Sequence, residues 1–152
     1  MMSGKYLKVI LGAVVVGVAA LIFVLFGPPH LLAKTSTPDY CMSCHVMESQ
    51  FEAWFHTGAH RRIKCVDCHL PNGNAGIHYI WKSIDGMKDV AVFYSGNVPD
   101  RIMLSAHGEK VLRENCVRCH DTTVMTMLDT SRNCWGCHRW VTHTRNAAME
   151  TL

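Results

Sequence analysis

The residues equipped for chemistry are eight cysteines and the histidines that follow them. Residues 41–47 read CMSCHVM, and the first five form C-x-x-C-H. Two thiols three residues apart can add to the two vinyl groups of one porphyrin, while the adjacent His reaches the iron from one face. The pattern recurs as CVDCH, CVRCH and CWGCH. The thiol pairs are Cys41/Cys44, Cys65/Cys68, Cys116/Cys119 and Cys134/Cys137, and the histidines are His45, His69, His120 and His138. No cysteine is left over.

Two other uses of paired cysteines compete with haem. Zinc sites employ C-x-x-C pairs, and two pairs per ion would make two zincs. A disulfide framework would also consume an even number of thiols. Neither has any need of a His directly after each second Cys. With 10 His in 152 residues, roughly one pair in fifteen would carry that His by accident, so four in four points to four covalent haems.

Such motifs need elements to hold them. Residues 9–26 (VILGAVVVGVAALIFVLF) are eighteen residues without a charge or strongly polar side chain. With Leu7 and Gly27 the run approaches the ~20 residues that cross a bilayer core of ~30 Å. It exceeds the 7–15 apolar residues of a secretory signal and lacks an A-x-A site, which favours a retained anchor. Gly27-Pro28-Pro29 closes the helix. Lys5 and Lys8 precede it and the next basic side chain is Lys34, so Met1 is expected in the cytoplasm and the motifs outside. Ala13 and Gly17 form a small-xxx-small pair that could admit another helix. The division is an anchor over 1–29 and an exported tetrahaem region over 30–152, its motifs in two pairs that suggest a duplicated unit. Fourteen residues separate Phe26 from Cys41 and span at most ~50 Å. The first haem should therefore sit near the membrane surface, within reach of a lipid-soluble electron donor.

The expected fold is mainly α: short helices and loops wrapped on haems, with little or no sheet, because porphyrins supply much of the apolar interior. The formal charge of +3 is too mild to argue for nucleic acid. A helix is expected over 48–57, with Phe51, Trp54 and Phe55 on one side against porphyrin. PNGNAG at 71–76 reads as a turn. A second helix is expected over 76–93, with Ile77, Ile80, Trp81, Ile84, Met87 and Ala91 at helical spacing. Its Tyr79 and Trp81 suit a membrane interface. Lys82 and Asp89 share a face two turns apart; they read either as surface charges, with Lys82 paired to Asp85, or as a proton-accepting quinol site. Residues 95–100 form a loop, and a helix over 107–115 leads into the third motif. Met125 and Met127 read as core packing before ligands. Met47, two residues past His45, could compete for the iron or simply pack on the ring. Six histidines lie outside the motifs: His30, His56, His60, His78, His107 and His143.

The C-x-x-C-H-x-M form of the first motif behind one apolar span, the four motifs, and KSIDGMKD at 82–89 together resemble the NapC/NirT family. These are membrane-anchored tetrahaem quinol dehydrogenases, and the likeness covers nearly the whole chain. The resemblance implies four haem c groups, menaquinol as substrate, and a periplasmic multihaem nitrite reductase as partner in a higher hetero-oligomer at the cytoplasmic membrane. It implies that Met47 replaces His45 at the first iron, and that Lys82 and Asp89 line the quinol site. It also implies His69 at the second iron, with a partner's lysine as a candidate sixth ligand, His120 with His143 at the third, and His138 with His60 at the fourth. His56, His78 and His107 become surplus, as surface residues or minor quinol-site contributors. Delivery to a nitrate reductase, or a tethered shuttle that oxidises no quinol, stays open.

Overall fold

The computed structural model describes residues 4–27, 30–56, 60–125 and 132–141, and among them there are helices and no strand. Helix α1 (Gly4–Phe26) is 23 residues long, or about 34 Å at 1.5 Å per residue, which suffices to cross a bilayer core. None of its side chains is buried against the rest of the chain. The helix stops where the Gly27 N–H bonds Phe23 O at 2.7 Å; a Cβ on Gly27 would stand 2.3 Å from that oxygen, so the exit is built for glycine. The face carrying Ala13 and Gly17 is open.

Short helices follow: α2 (Leu31–Lys34), α3 (Pro38–Met42), α4 (Glu48–His56) and α5 (Cys65–His69). The Oγ1 of Thr37 accepts from the Tyr40 N–H, and Pro38 starts α3 where a missing donor costs nothing. Helix α6 (Ala75–Tyr94) begins two residues earlier than the turn reading of PNGNAG allows. The Asn74 side chain caps it by accepting from the Ile77 N–H, so the turn is shorter and the helix longer. Helix α7 (Ala106–Val124) is capped by Ser105 and runs through the third motif instead of stopping before it. Its geometry breaks at the motif's own histidine, His120, at φ −113° and ψ 24°. The fourth motif lies on a 3₁₀ turn, Cys134–Gly136.

The chain hardly buries itself. Among the described residues only Ala53, Leu70, Val111 and Asn115 are buried, and no large side chain is fully enclosed. The closest helix packing sets α5 on α7, joining the second motif to the third. Its lock is polar. The Asn115 amide donates to Cys68 O (2.9 Å) and Leu70 O (2.8 Å), and its oxygen accepts from Asn72 Nδ2 (3.3 Å) and Arg118 Nε (3.2 Å). Arg118 also reaches Asp67 O at 3.2 Å. On α4, Phe51, Trp54 and Phe55 cluster with one another, and the Trp54 indole N–H bonds His60 O and Ile63 O, each at 3.1 Å, fixing the next loop.

Replacing Asn115 with Leu leaves Cys68 O without this donor, while Leu70 O keeps Asn72 Nδ2 at 2.7 Å, and should cost about 1–3 kcal/mol. Denaturant melts of the haem-loaded protein, followed by haem absorbance, would read the loss as a lower midpoint.

Candidate functional site

The four motifs form a continuous series. The Cys41 and Cys65 thiols are neighbours, which joins the first motif to the second. Cys68 lies within electrostatic reach of Cys116 and Cys119, and Cys116 lies beside Cys134, so the second motif meets the third and the third the fourth. The second and third motifs, which sequence order places in different pairs, are neighbours because α5 packs on α7. All eight thiols are free. Among the described residues no three His, Cys, Asp or Glu side chains converge as zinc would require. A polypeptide with paired free thiols at its surfaces and almost no apolar core of its own fits covalent porphyrin.

The thiols are not equally enclosed. Cys119 and Cys137 are exposed, whereas the other six are half-buried. The physical reason is clearest at Cys137. In the fourth motif Cys134 lies toward Cys116, while Cys137 closes the 3₁₀ turn as its C-cap and faces outward with Gly136 and His138. The spacing that pairs Cys137 with Cys134 is intact, but the polypeptide itself covers only one member of the pair.

The first motif turns at Cys44 into a 3₁₀ turn, His45–Met47, that runs directly into α4. Positions two apart in such a turn point about 120° from each other, so His45 and Met47 cannot both face one iron from the same side. The His45 ring is exposed and rests against Phe93 of α6, with centroids 5.6 Å apart, whereas Met47 is half-buried.

Lys82 and Asp89 do share one face of α6, and that face looks at the first motif: both act electrostatically on the Cys41 thiol. Lys82 is not paired with Asp85, the surface arrangement its spacing allowed. Its ammonium donates to Leu32 O at 2.7 Å and to Ser36 Oγ at 2.5 Å, because α2 and the turn after it present acceptors closer than the carboxylate. Loss of solvent pulls its pKa below the ordinary 10.5, an effect that Cys41 partly offsets. Partial burial also pushes the Asp89 carboxyl up from 3.8; Asp85 adds to the rise and Lys88 opposes it. The site thus holds a cation and a reluctant anion beside a haem-attachment thiol.

Of the remaining histidines, His60 approaches His120 with centroids 6.1 Å apart and rings at 88°. Two imidazoles flanking one metal at bonds of about 2 Å have ring centres about 6 Å apart. His60 therefore contacts the third motif's ligand, where the resemblance pairs it with His138. His138 is exposed, and His143 lies outside the described residues, as does Met127. Met125 is 81% exposed, against the expected core role. His56 is a surface residue that meets Glu52 at 3.3 Å, and His78 bonds Pro71 O at 3.0 Å. His107 departs from the surface reading: its ring stacks on Trp81 at 3.6 Å and its Nε2 is buried with no partner in the chain. It borders a cavity of about 450 Å³ between the 71–74 turn, α6 and α7. Sequence spacing missed His107 and Asn115, since their partners lie on other elements.

Comparison with known proteins gives a consistent result. A family model described as the NapC/NirT cytochrome c family, N-terminal region, matches residues 4–150. Cytochrome c-type protein NrfH of Wolinella succinogenes is 34% identical over 123 residues, covering 72% of this chain and 70% of that protein. The cytochrome c nitrite reductase subunit NrfH of Nitratidesulfovibrio vulgaris is 32% identical over 147 residues, 95% and 89% respectively. Tetraheme c-type cytochrome CymA of Shewanella oneidensis is 26% identical over 177 residues, 93% and 92%. Among solved structures, a chain of the cytochrome c nitrite reductase NrfHA complex bound to the HQNO inhibitor superposes with a TM-score of 0.70. It is 32% identical, with 90% of this chain and 91% of that chain covered.

The raised Asp89 pKa has a definite sign in stability. The folded protein holds this proton more tightly than the unfolded chain, so the contribution is complete below about pH 3.8 and is lost as pH rises through the folded value. Asp89→Asn should therefore match the parent near pH 4 and exceed it in stability near pH 7. Denaturant midpoints across that range check it.

Proposed function

This chain belongs to the NapC/NirT cytochrome c family, and from that premise we propose that it is a membrane-anchored menaquinol dehydrogenase supplying electrons to a periplasmic nitrite reductase. The observation that carries the reading is the convergence of Lys82 and Asp89 on Cys41, the first haem-attachment residue. Helix α1 anchors the chain in the cytoplasmic membrane with its N-terminus inside and the motifs in the periplasm, as Lys5 and Lys8 before the span favour. The catalytic nitrite reductase subunit is the expected partner, because the superposed chain comes from an NrfHA complex.

Four haem c groups, one on each cysteine pair and the last on Cys134 with the exposed Cys137, supply single-electron redox chemistry when bound. Quinol oxidation also releases protons, and the chain's own residues handle them. Asp89 offers a carboxylate whose raised pKa makes it a stronger base than a free aspartate, so it accepts a hydroxyl proton. The Lys82 ammonium, anchored by Leu32 O and Ser36 Oγ, orients the ring oxygen and steadies charge developing on it. Met47 serves the first iron and His45 stands aside on Phe93. His69, His120 and His138 serve the second to fourth irons, with His60 and His143 as further ligands.

The test is anaerobic mixing of the detergent-extracted, full-length protein with a menaquinol analogue while haem absorbance is followed. Fast reduction that falls by about 10²-fold or more in Asp89→Asn or Lys82→Ala, with reduction by dithionite intact, is the expected result. Reduction by dithionite alone in the parent protein would leave a tethered electron carrier. Met47→Leu should alter the spectrum of one haem, and an unchanged spectrum with unchanged quinol oxidation would remove Met47 from the iron. Pyridine haemochrome assay and intact mass should give four haems per chain.

A further inference from the structure

Helix α6 has a second face that is largely open among the described residues. Ile77, Ile80, Ile84, Met87, Ala91 and Tyr94 recur at intervals of three and four, so they form one stripe along the helix. All six are exposed, Met87 by 70% and Tyr94 by 82%. At 100° per residue the stripe lies about 180° from Lys82 and Asp89. The polar face is engaged with the first motif and with residues 32 and 36. The apolar face is open among the described residues, apart from Ile77, which borders the cavity beside α7.

We infer that this stripe lies on the lipid bilayer, making α6 an interfacial helix parallel to the membrane surface. Three observations select lipid over a protein partner. Lys82, near the middle of α6, is bonded to Leu32 O, and only residues 27–32 separate that oxygen from the end of the membrane-length α1. Six residues reach about 20 Å when fully extended, so the stripe is held close to where the anchor leaves the hydrocarbon. Tyr94 ends the stripe, exposed Tyr79 lies near its start, and exposed Lys88 sits at its edge, from which a long side chain can extend to the headgroups. The charged residues of α6 cancel (Lys82 and Lys88 against Asp85 and Asp89), which offers no electrostatic lure for an acidic or basic partner. The stripe is continuous in character with the bare surface of α1.

The consequence deepens the quinol reading without resting on it. A helix is about 10 Å across, so the Lys82–Asp89 face would stand one helix diameter above the hydrocarbon edge. A lipid-soluble quinol could present its ring there while its tail remained in the bilayer.

The experiment uses the full-length, haem-loaded protein, without partner, in nanodiscs of phosphatidylethanolamine and phosphatidylglycerol. A bilayer-partitioned aryl diazirine is photolysed and the carbene adducts are mapped residue by residue by mass spectrometry. Expected are adducts on α1 and on Ile80, Ile84 and Met87, with at least about fivefold less on the Lys82–Asp89 face, as an amphipathic helix in the interface requires. Ile80→Asp with Met87→Asp, two exposed positions, should keep the haem absorbance and lose the α6 adducts. Adducts confined to α1 would overturn the inference. A disulfide-linked dimer of Met87→Cys, with the stripe unlabelled, would also overturn it, in favour of a second copy of this chain. Neither readout involves quinol oxidation, so it stands or falls apart from the dehydrogenase reading.

Discussion

The Asn115 amide takes part in four hydrogen bonds, and three of them cross from α7 to the segment around the second motif. In most domains of this size such a latch would be minor beside the apolar core. Here, among the described residues, the buried apolar side chains are Ala53, Leu70 and Val111, so the latch and its neighbours set how the second and third motifs face each other. The position immediately before Cys116 leaves no slack between the lock and the haem attachment it registers. Covalent porphyrins then fill the space that side chains fill elsewhere, and the polypeptide acts as a frame.

Around the first motif the frame has a different job. Helix α6 sits between two environments, with the Cys41 thiol and its charged neighbours on one side and an uncovered apolar stripe on the other. The tie from Lys82 to residues 32 and 36 fixes that orientation relative to the chain emerging from α1. Desolvation acts on both ionisable groups in the sense that weakens their charge, lowering the pKa of Lys82 and raising that of Asp89. A donor and an acceptor of adjusted basicity next to a redox centre suit proton-coupled oxidation of a neutral substrate.

Much of this was legible from residue order. The four motifs, the apolar span and the amphipathic 76–93 stretch are local patterns, written in spacings of three, four and seven, and each has its counterpart in the structure. The extent of α7 was not legible, because a C-x-x-C-H motif carries no sign of whether its backbone is helical. The second motif is helical, the fourth is a 3₁₀ turn, and the third continues a long helix as far as the break at His120. The outward placement of Cys137 follows from that same turn and could not be read from its spacing to Cys134. Contacts between distant elements were equally invisible. The Lys82–Ser36, Trp81–His107 and Asn115–Cys68 contacts span 46, 26 and 47 positions, and nothing in the spacing of either partner announces the other.

The near absence of a self-made core bears on biogenesis. A chain that buries so little apolar surface among its described residues draws little folding free energy from its own side chains. For such a chain, attachment of a group that fills the space between the helices and folding are one coupled equilibrium, so the supply of that group and the yield of folded protein rise and fall together.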